Sequence, residues 1–390
     1  MDLQNAKICF LSAYAAEYAG NFILMLKALS RNLKNNYHAD IFFIFPEQPE
    51  HQWIKDLRRE YTVSFTKLPY TDTTNEIYKY LQDWKINLAH SHFESYDIPL
   101  SKAVKRTGRD IKQVWHLHDY VEVDKSGKTF RWLKEKRAAY LYWKHYALYG
   151  KNAYLVGVSH EVLASVEQFK KSLFRYPKVM SIEELQNMSF VSGEVVINGI
   201  DTNRLKGEYF FPKSEVTFLS FGGEITRKGI PLIFDAAEML YCNFSHFRVI
   251  ITRGKDVDSY IKSRYCNNIP EWLKIVDQTD EISRLFNNSH CYISAARRET
   301  MSMAIAEASI YGLPVIQSDI PGTWWNANSP SVFLFKDGDV GDLCKRMYEF
   351  CMSDLTELKR KCLETQRKNK DLLSLDKWCD RIVDIYTKKI

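Results

Sequence analysis

The sequence predicts an α/β protein made of two Rossmann-like, doubly wound domains. Three observations lead there. With 390 residues, 45% of them hydrophobic, the chain is too long for one small core and has apolar side chains enough for two. Short β-rich runs alternate with longer helical patterns, the order that parallel sheets with crossover helices require. The alternation also stops at a polar stretch, 203–214, which contains Pro212, and then starts again.

In order along the chain, 8–11 is an apolar strand and 21–33 a helix, with Ile23, Leu26, Leu29 and Leu33 at helical spacing. A second strand follows at 39–45, then helices at 53–60 and 75–84 and a short buried strand at 88–92. Residues 114–118 read as a strand, 131–149 as a long helix and 154–159 as a strand, and 195–198 closes the first series. The second series opens with a strand at 216–221, a helix at 231–241 and a strand at 247–252. It continues with strands at 273–276, 291–294 and 315–317, interleaved with helices at 281–287 and 302–311. The last stretch, 375–390, is helical, with Trp378, Ile382 and Tyr386 on one face. The expected domains are therefore 1–203 and 204–374, with 375–390 packing back on the first.

Composition removes several classes. No apolar run reaches the roughly 18–20 residues of a membrane span. The start reads as lacking a signal-peptide layout, with Asp2 and Lys7 flanking a short apolar run. The eight cysteines include no Cys-x-x-Cys pair, so reduced thiols in a cytoplasmic protein are expected. The net charge of +6 is concentrated: residues 101–151 hold 13 Lys/Arg against 5 Asp/Glu. Such a segment either meets an anionic partner or forms a solvated helix face.

Two segments carry chemistry. FGGEITRKG, 221–229, joins a strand to a helix; its glycines let backbone approach a ligand, and Lys228 adds a charge at the helix mouth. Its spacing is neither that of a Walker A loop nor the dinucleotide Gly-x-Gly-x-x-Gly pattern. ETMSMAIAEASIYGLP, 299–314, leads from a buried strand into a helix that exits at Gly312 and Pro314. Glu299 and Glu307 are eight residues apart, which along a helix is about 10–12 Å. That is wider than the ~5–9.5 Å of a glycosidase carboxylate pair. It suits two hydroxyl-bearing groups separated by a diphosphate, with the first-turn N–H groups near Met301, Ser302 and Met303 receiving the phosphates.

Taken with Asn198-Gly199-Ile200-Asp201 at the junction and Asp319-Ile320-Pro321-Gly322 after the next strand, these segments resemble the GT-B glycosyltransferases. The likeness is to the retaining group numbered family four, glycosyl transferases group 1. It spans nearly the whole chain and is strongest over 195–322. Glu299 to Glu307 resembles that family's Glu-x7-Glu element, and Lys228-Gly229 resembles its lysine-glycine pair. The resemblance implies a GT-B fold with two domains facing across a cleft. It also implies transfer of a sugar from a nucleotide-diphosphate sugar with retention of configuration. His118 then looks like the family's active-site histidine, with Lys228 and Glu299 also catalytic. Donor contacts fall to Gly222, Gly223, Arg227, Lys228, Glu299, Met301, Ser302, Met303 and Glu307. Asp119, His92 and Asn198 fall on the acceptor or cleft side. Glu307 would accept from ribose and Glu299 from sugar hydroxyls, while Lys228 stabilises the leaving diphosphate. With fixed cations there, no metal and no cofactor is expected.

The chain departs from the pattern at three places. Gly223 stands where members carry an arginine, with Arg227 offset from it. Thr300-Met301-Ser302-Met303 replaces a glycine-containing turn. The glycine-rich loop after the first strand is reduced to Gly20. These departures keep a catalytically silent, sugar-nucleotide-binding subunit in view as an alternative. A second alternative is a metal-dependent hydrolase, because His90, His92, His116 and His118 with Asp119 end two strands. In 129–151, Arg131, Trp132, Lys134, Arg137 and Trp143 combine basic and amphipathic aromatic side chains. That mixture suits peripheral contact with an anionic membrane at the inner face, where lipid-linked saccharide acceptors of such enzymes lie. No nucleic-acid partner is expected, since no recognition module accompanies the charge.

Overall fold

Apolar runs such as KICFLS and DIFFIFP become strands buried on both faces, which is what a parallel sheet covered by helices needs. The computed structural model describes residues 1–67, 73–120, 152–171, 193–205, 209, 211, 215–254, 256–266 and 268–390. The chain divides into two units, Met1–Gly199 with Leu375–Ile390, and Ile200–Ser374. The division lies at Gly199/Ile200, not at the expected 203/204. The reason is local. Ile200 forms a parallel bridge with Ser374 and donates to the carbonyl of Leu373, while the turn Thr202–Arg204 brings Arg204 onto Glu307. These contacts tie the start of the polar stretch to the second unit.

Unit 1 runs β1 (Lys7–Ser12), α1 (Gly20–Tyr37), β2 (Asp40–Pro46), α2 (Gln52–Arg58), β3 (Thr62–Thr66), α3 (Thr74–Asp83), β4 (Leu88–His92), α4 (Asp97–Thr107), β5 (Lys112–Leu117), β6 (Tyr154–Gly157), α5 (His160–Lys171) and β7 (Gly193–Val195). Its sheet is ordered β3-β2-β1-β4-β5-β6-β7, with the strands parallel. One apolar core joins Phe10, Phe43 and Phe45 to α1 and to the C-terminal segment; the other, on Cys9, Leu11 and Ala89, is closed by α3 and α4.

Unit 2 runs β8 (Val216–Ser220), α6 (Ile225–Lys228), α7 (Ile230–Tyr241), β9 (Phe247–Thr252), α8 (Val257–Tyr265), β10 (Leu273–Val276), α9 (Ile282–Asn287), β11 (Cys291–Ser294), α10 (Met303–Tyr311), β12 (Val315–Ser318), α11 (Trp324–Ala327), β13 (Val332–Phe335), α12 (Val340–Cys351) and α13 (Leu355–Leu372). Its parallel sheet is ordered β10-β9-β8-β11-β12-β13. Strand order reverses between β8 and β11, and the loops that leave those two strands diverge there, the place where open α/β sheets bind ligands.

The last helix, α14 (Leu375–Lys388), groups with unit 1. Trp378, Cys379, Ile382, Val383, Ile385 and Tyr386 bury one stripe in its first core. The eight cysteines are free thiols. Among the described residues, no helix is long and apolar enough to cross a membrane.

Candidate functional site

At the β8/β11 switch point, four glycines let backbone pack on backbone. The Gly222 N–H donates to Thr252 Oγ1 at 2.8 Å. A Cβ on Gly222 would sit 1.9 Å from the Thr252 carbonyl oxygen, and one on Gly254 would sit 2.2 Å from the Gly223 nitrogen. The loops after β8 and β9 therefore touch main chain to main chain. Gly229, at φ +65°, lies against Ala295, and Gly322 lies against Glu299, where a Cβ would meet the carbonyl oxygen at 1.8 Å in each case. Here the Asp-Ile-Pro-Gly loop finds its physical purpose. Its glycine lets the turn after β12 press on the main chain of Glu299.

These contacts hold the charged side chains. Lys228 Nζ donates to Glu299 Oε1 at 2.5 Å, and Arg227 Nη1 is 4.0 Å from Glu299 Oε2. Arg227, offset from the expected arginine position, thus faces the same carboxylate as Lys228, while its carbonyl accepts from the Arg297 N–H. Glu299 is only 8% exposed, so the two cations surround a carboxylate that has little water around it.

Ser302 is the N-cap of α10, at φ −70° and ψ 101°, and Met303 begins the helix. Met301 and Ser302 are buried. Because Ser302 takes ordinary extended backbone, the missing glycine costs no strain in this turn. The expected helix thus begins at Met303, one residue later than the periodicity predicts. Glu307 sits one turn into α10, 7% exposed, with Oε1 accepting from Arg204 Nη1 at 3.1 Å. Burial is the largest influence on Glu307 and outweighs the nearby guanidinium, raising its carboxyl to about 7. Arg204 also donates to Asp280 Oδ1 at 3.0 Å, and Asp280 adds to the rise in Glu307. Buried Tyr292 on β11 lies within the field of both glutamates; burial first, then their charges, push its phenol up.

Arg204 is the site residue that the sequence did not reveal. It lies 103 residues from Glu307, and nothing local marks it. A buried polar network fixes the helix that carries Glu307. Asn369 of α13 donates to Ser309 Oγ and Asn326 Oδ1, both at 2.9 Å. Asn326 in turn donates to Gln317 Oε1 at 3.1 Å.

In unit 1, His92 ends β4 and His118 follows β5; His92 Nδ1 and His118 Nε2 are 3.1 Å apart. Burial drives the His118 imidazole down to about 3, so it is neutral at physiological pH. Asp119 is exposed and Asn198 buried. The expected membrane-contact residues Arg131, Trp132, Lys134, Arg137 and Trp143 lie outside the described residues.

The raised Glu307 carboxyl sets a pH dependence. A carboxylate accepts from two hydroxyls at once, and its protonated form does so poorly. Affinity for a nucleoside diphosphate is expected to rise about tenfold from pH 6 to pH 8, the effect of one proton titrating near 7. Isothermal titration of wild type and Glu307→Gln measures it. The variant keeps only the slope from the phosphate's own ionisation, so equal slopes in the two proteins would refute the assignment. The linkage sign for folding is opposite. A carboxyl raised above its unfolded value stabilises the fold below about 4.5, and that contribution is lost as pH rises through about 7.

Residues 215–352 match the family model of glycosyl transferases group 1. None of the curated proteins matches the sequence. Among solved structures, Anabaena HepE in complex with UDP and glucose superposes with a TM-score of 0.75 at 13% identity, covering 98% of this chain and 100% of that one. Sucrose-phosphate synthase from Thermosynechococcus elongatus gives 0.73 at 12% identity, with 98% of each chain covered. WaaG, a glycosyltransferase involved in lipopolysaccharide biosynthesis, gives 0.65 at 13%, covering 98% of this chain and 100% of that one. The fold is GT-B.

Proposed function

We propose, from the match of residues 215–352 to the glycosyl transferases group 1 model and from the GT-B fold, that the protein is a retaining glycosyltransferase. Its donor is a nucleoside-diphosphate sugar and its acceptor a saccharide or lipid-linked saccharide. One observation carries the reading: Lys228 paired with buried Glu299, eight residues before buried Glu307, on loops at the switch point of the matched domain. Glu307 accepts from ribose hydroxyls and Glu299 from sugar hydroxyls. As the bond between the sugar's anomeric carbon and the phosphate oxygen breaks, charge grows on the diphosphate. Lys228, with Arg227 beside it, stabilises that charge without a metal ion. The acceptor hydroxyl forms the new glycosidic bond, and its proton passes to the departing phosphate. The role of His118 as the active-site histidine belongs to the same proposal.

HepE is solved in complex with UDP and glucose and with UDP-glucose, which makes UDP-glucose the first donor to try. WaaG acts in lipopolysaccharide biosynthesis, and a cell-surface polysaccharide is accordingly the acceptor class we favour.

The test is thermal unfolding of the protein with a panel of nucleoside diphosphates and their sugar conjugates, with and without chelator. At 100 times its dissociation constant a ligand stabilises by about 2.7 kcal/mol, a shift of a few degrees. One base should shift the transition, chelator should leave that shift intact, and Glu307→Ala should abolish it. If no nucleotide shifts the wild-type transition, the donor-site reading is lost.

The glycine at 223 offers a gain-of-function check. A Cβ there meets only the Lys228 side chain, at 3.2 Å, a flexible neighbour that must give by a few tenths of an ångström. Gly223→Arg adds a cation at the diphosphate position and is expected to tighten binding of the nucleoside diphosphate roughly tenfold, with a steeper salt dependence. Unchanged affinity in a titration at low and high salt would place the diphosphate elsewhere.

A further inference from the structure

We propose that the histidine cluster inside unit 1 is a metal site, in which His90, His92 and His116 hold one imidazole-preferring transition-metal ion of the Zn2+ class. His90 and His92 lie on one face of β4, and His92 pairs in register with His116 on β5. One ring nitrogen of each lies within 4.8 Å of one on each of the others, and all three residues are fully buried. A zinc–imidazole bond is about 2.0–2.1 Å, which places ligand nitrogens about 3.4 Å apart in a tetrahedral sphere. The ligand nitrogens need to draw together by up to about 1.4 Å. His90 stacks on His116 within 8° and on His92 within 23°, while His92 and His116 are tilted by 31°, so closure takes a change of ring orientation.

The hydrogen bonding supplies the independent argument. His90 Nδ1 lies 2.5 Å from Tyr386 Oη, and His92 Nδ1 lies 3.1 Å from His118 Nε2. With both Nδ1 atoms as donors, each ring keeps a buried Nε2 lone pair available to bind an ion. This is the tautomer that metal-bound histidines adopt, with the far N–H held by an outer partner. Among the described residues, those two Nε2 atoms and both nitrogens of His116 are buried without a hydrogen-bond partner. Phe10 packs on His90 and His92, and Trp378 on His116, offering ring faces where a polar partner would otherwise stand. Four orphaned nitrogens in one place are a debt that an ion would discharge. A donor set of imidazoles without a carboxylate selects zinc-like ions over Ca2+ and Mg2+, which take oxygen ligands. The three ligands all belong to unit 1, and the inference does not rest on the proposed transfer reaction.

The experiment is a Co2+ titration of the full-length, chelator-stripped protein, followed by Zn2+ displacement. The expected result is one Co2+ per chain with the intense visible absorption of a tetrahedral site. Zn2+ should bleach it and raise the melting temperature in a concentration-dependent way. His116→Leu and His90→Gln should each weaken binding at least tenfold, while His38→Gln and His51→Gln leave it unchanged. Absence of saturable binding at micromolar Co2+, a weak octahedral spectrum, or full binding in His116→Leu would overturn the proposal. Should the variants fail to fold, the wild-type stoichiometry and spectrum decide it by themselves.

Discussion

Glu299→Ala is expected to lower the rate of donor turnover by about 10³–10⁴-fold while leaving affinity for the sugar-free nucleoside diphosphate within about fivefold. A carboxylate that accepts from sugar hydroxyls contributes about 1.5–3 kcal/mol per charged hydrogen bond. Its loss also frees Lys228, whose Nζ is held at 2.5 Å from Glu299 Oε1 and is thereby aimed at the switch-point loop. Displacing one preorganised charge from a leaving group costs a further ~3 kcal/mol. Together these give about 4.5–6 kcal/mol, or about 10³–10⁴-fold in rate. Release of nucleoside diphosphate from the sugar donor, followed with and without acceptor, is the measurement. Retention of more than a third of wild-type turnover would remove Glu299 from the mechanism. A wild-type protein that binds donor but never turns it over would instead favour the binding-only subunit.

Gly229→Ala should destabilise unit 2 by more than ~4 kcal/mol and yield little soluble protein. Two effects combine there. A positive φ of 65° costs a residue with a Cβ about 1–2 kcal/mol. The added carbon would also lie 1.8 Å from the carbonyl oxygen of Ala295, which has no flexible end to swing away. Gly108→Ala separates the two effects, since Gly108 shares φ +65° but a Cβ there meets nothing within 4 Å. That variant is expected to lose only about 1–2 kcal/mol in urea unfolding. Similar losses in both variants would show that the close approach of the loops after β8 and β11 contributes nothing.

Much of this architecture is legible along the chain because it is local. Apolar runs such as those of β1 and β2 have no other fate than a buried strand, and the glycine-marked loops announce themselves by composition. Elements with a narrow buried stripe escape notice. In α13 only Leu358, Cys362, Thr365 and Asn369 are buried, within a sequence dominated by charge. The strand β3 is only five residues long, and its pattern is mostly half-buried. Periodicity is too weak a signal in such segments; they are placed by what they pack against.

The site divides in the same way. Residue types and spacing determined two doubly wound α/β domains and set Lys228 and Glu299 at two strand-to-helix connections, with Glu307 on the helix after the second; GT-B was what the family resemblance implied. Only the tertiary structure decided that Lys228 and Arg227 face one carboxylate and that Arg204 meets Glu307 across 103 residues. It alone put the Tyr386 hydroxyl on His90 across 296 residues. The physical reason is that local sequence sets backbone preference and burial, whereas the partner of a buried charge or imidazole is whichever group the packing of distant segments brings within about 3 Å.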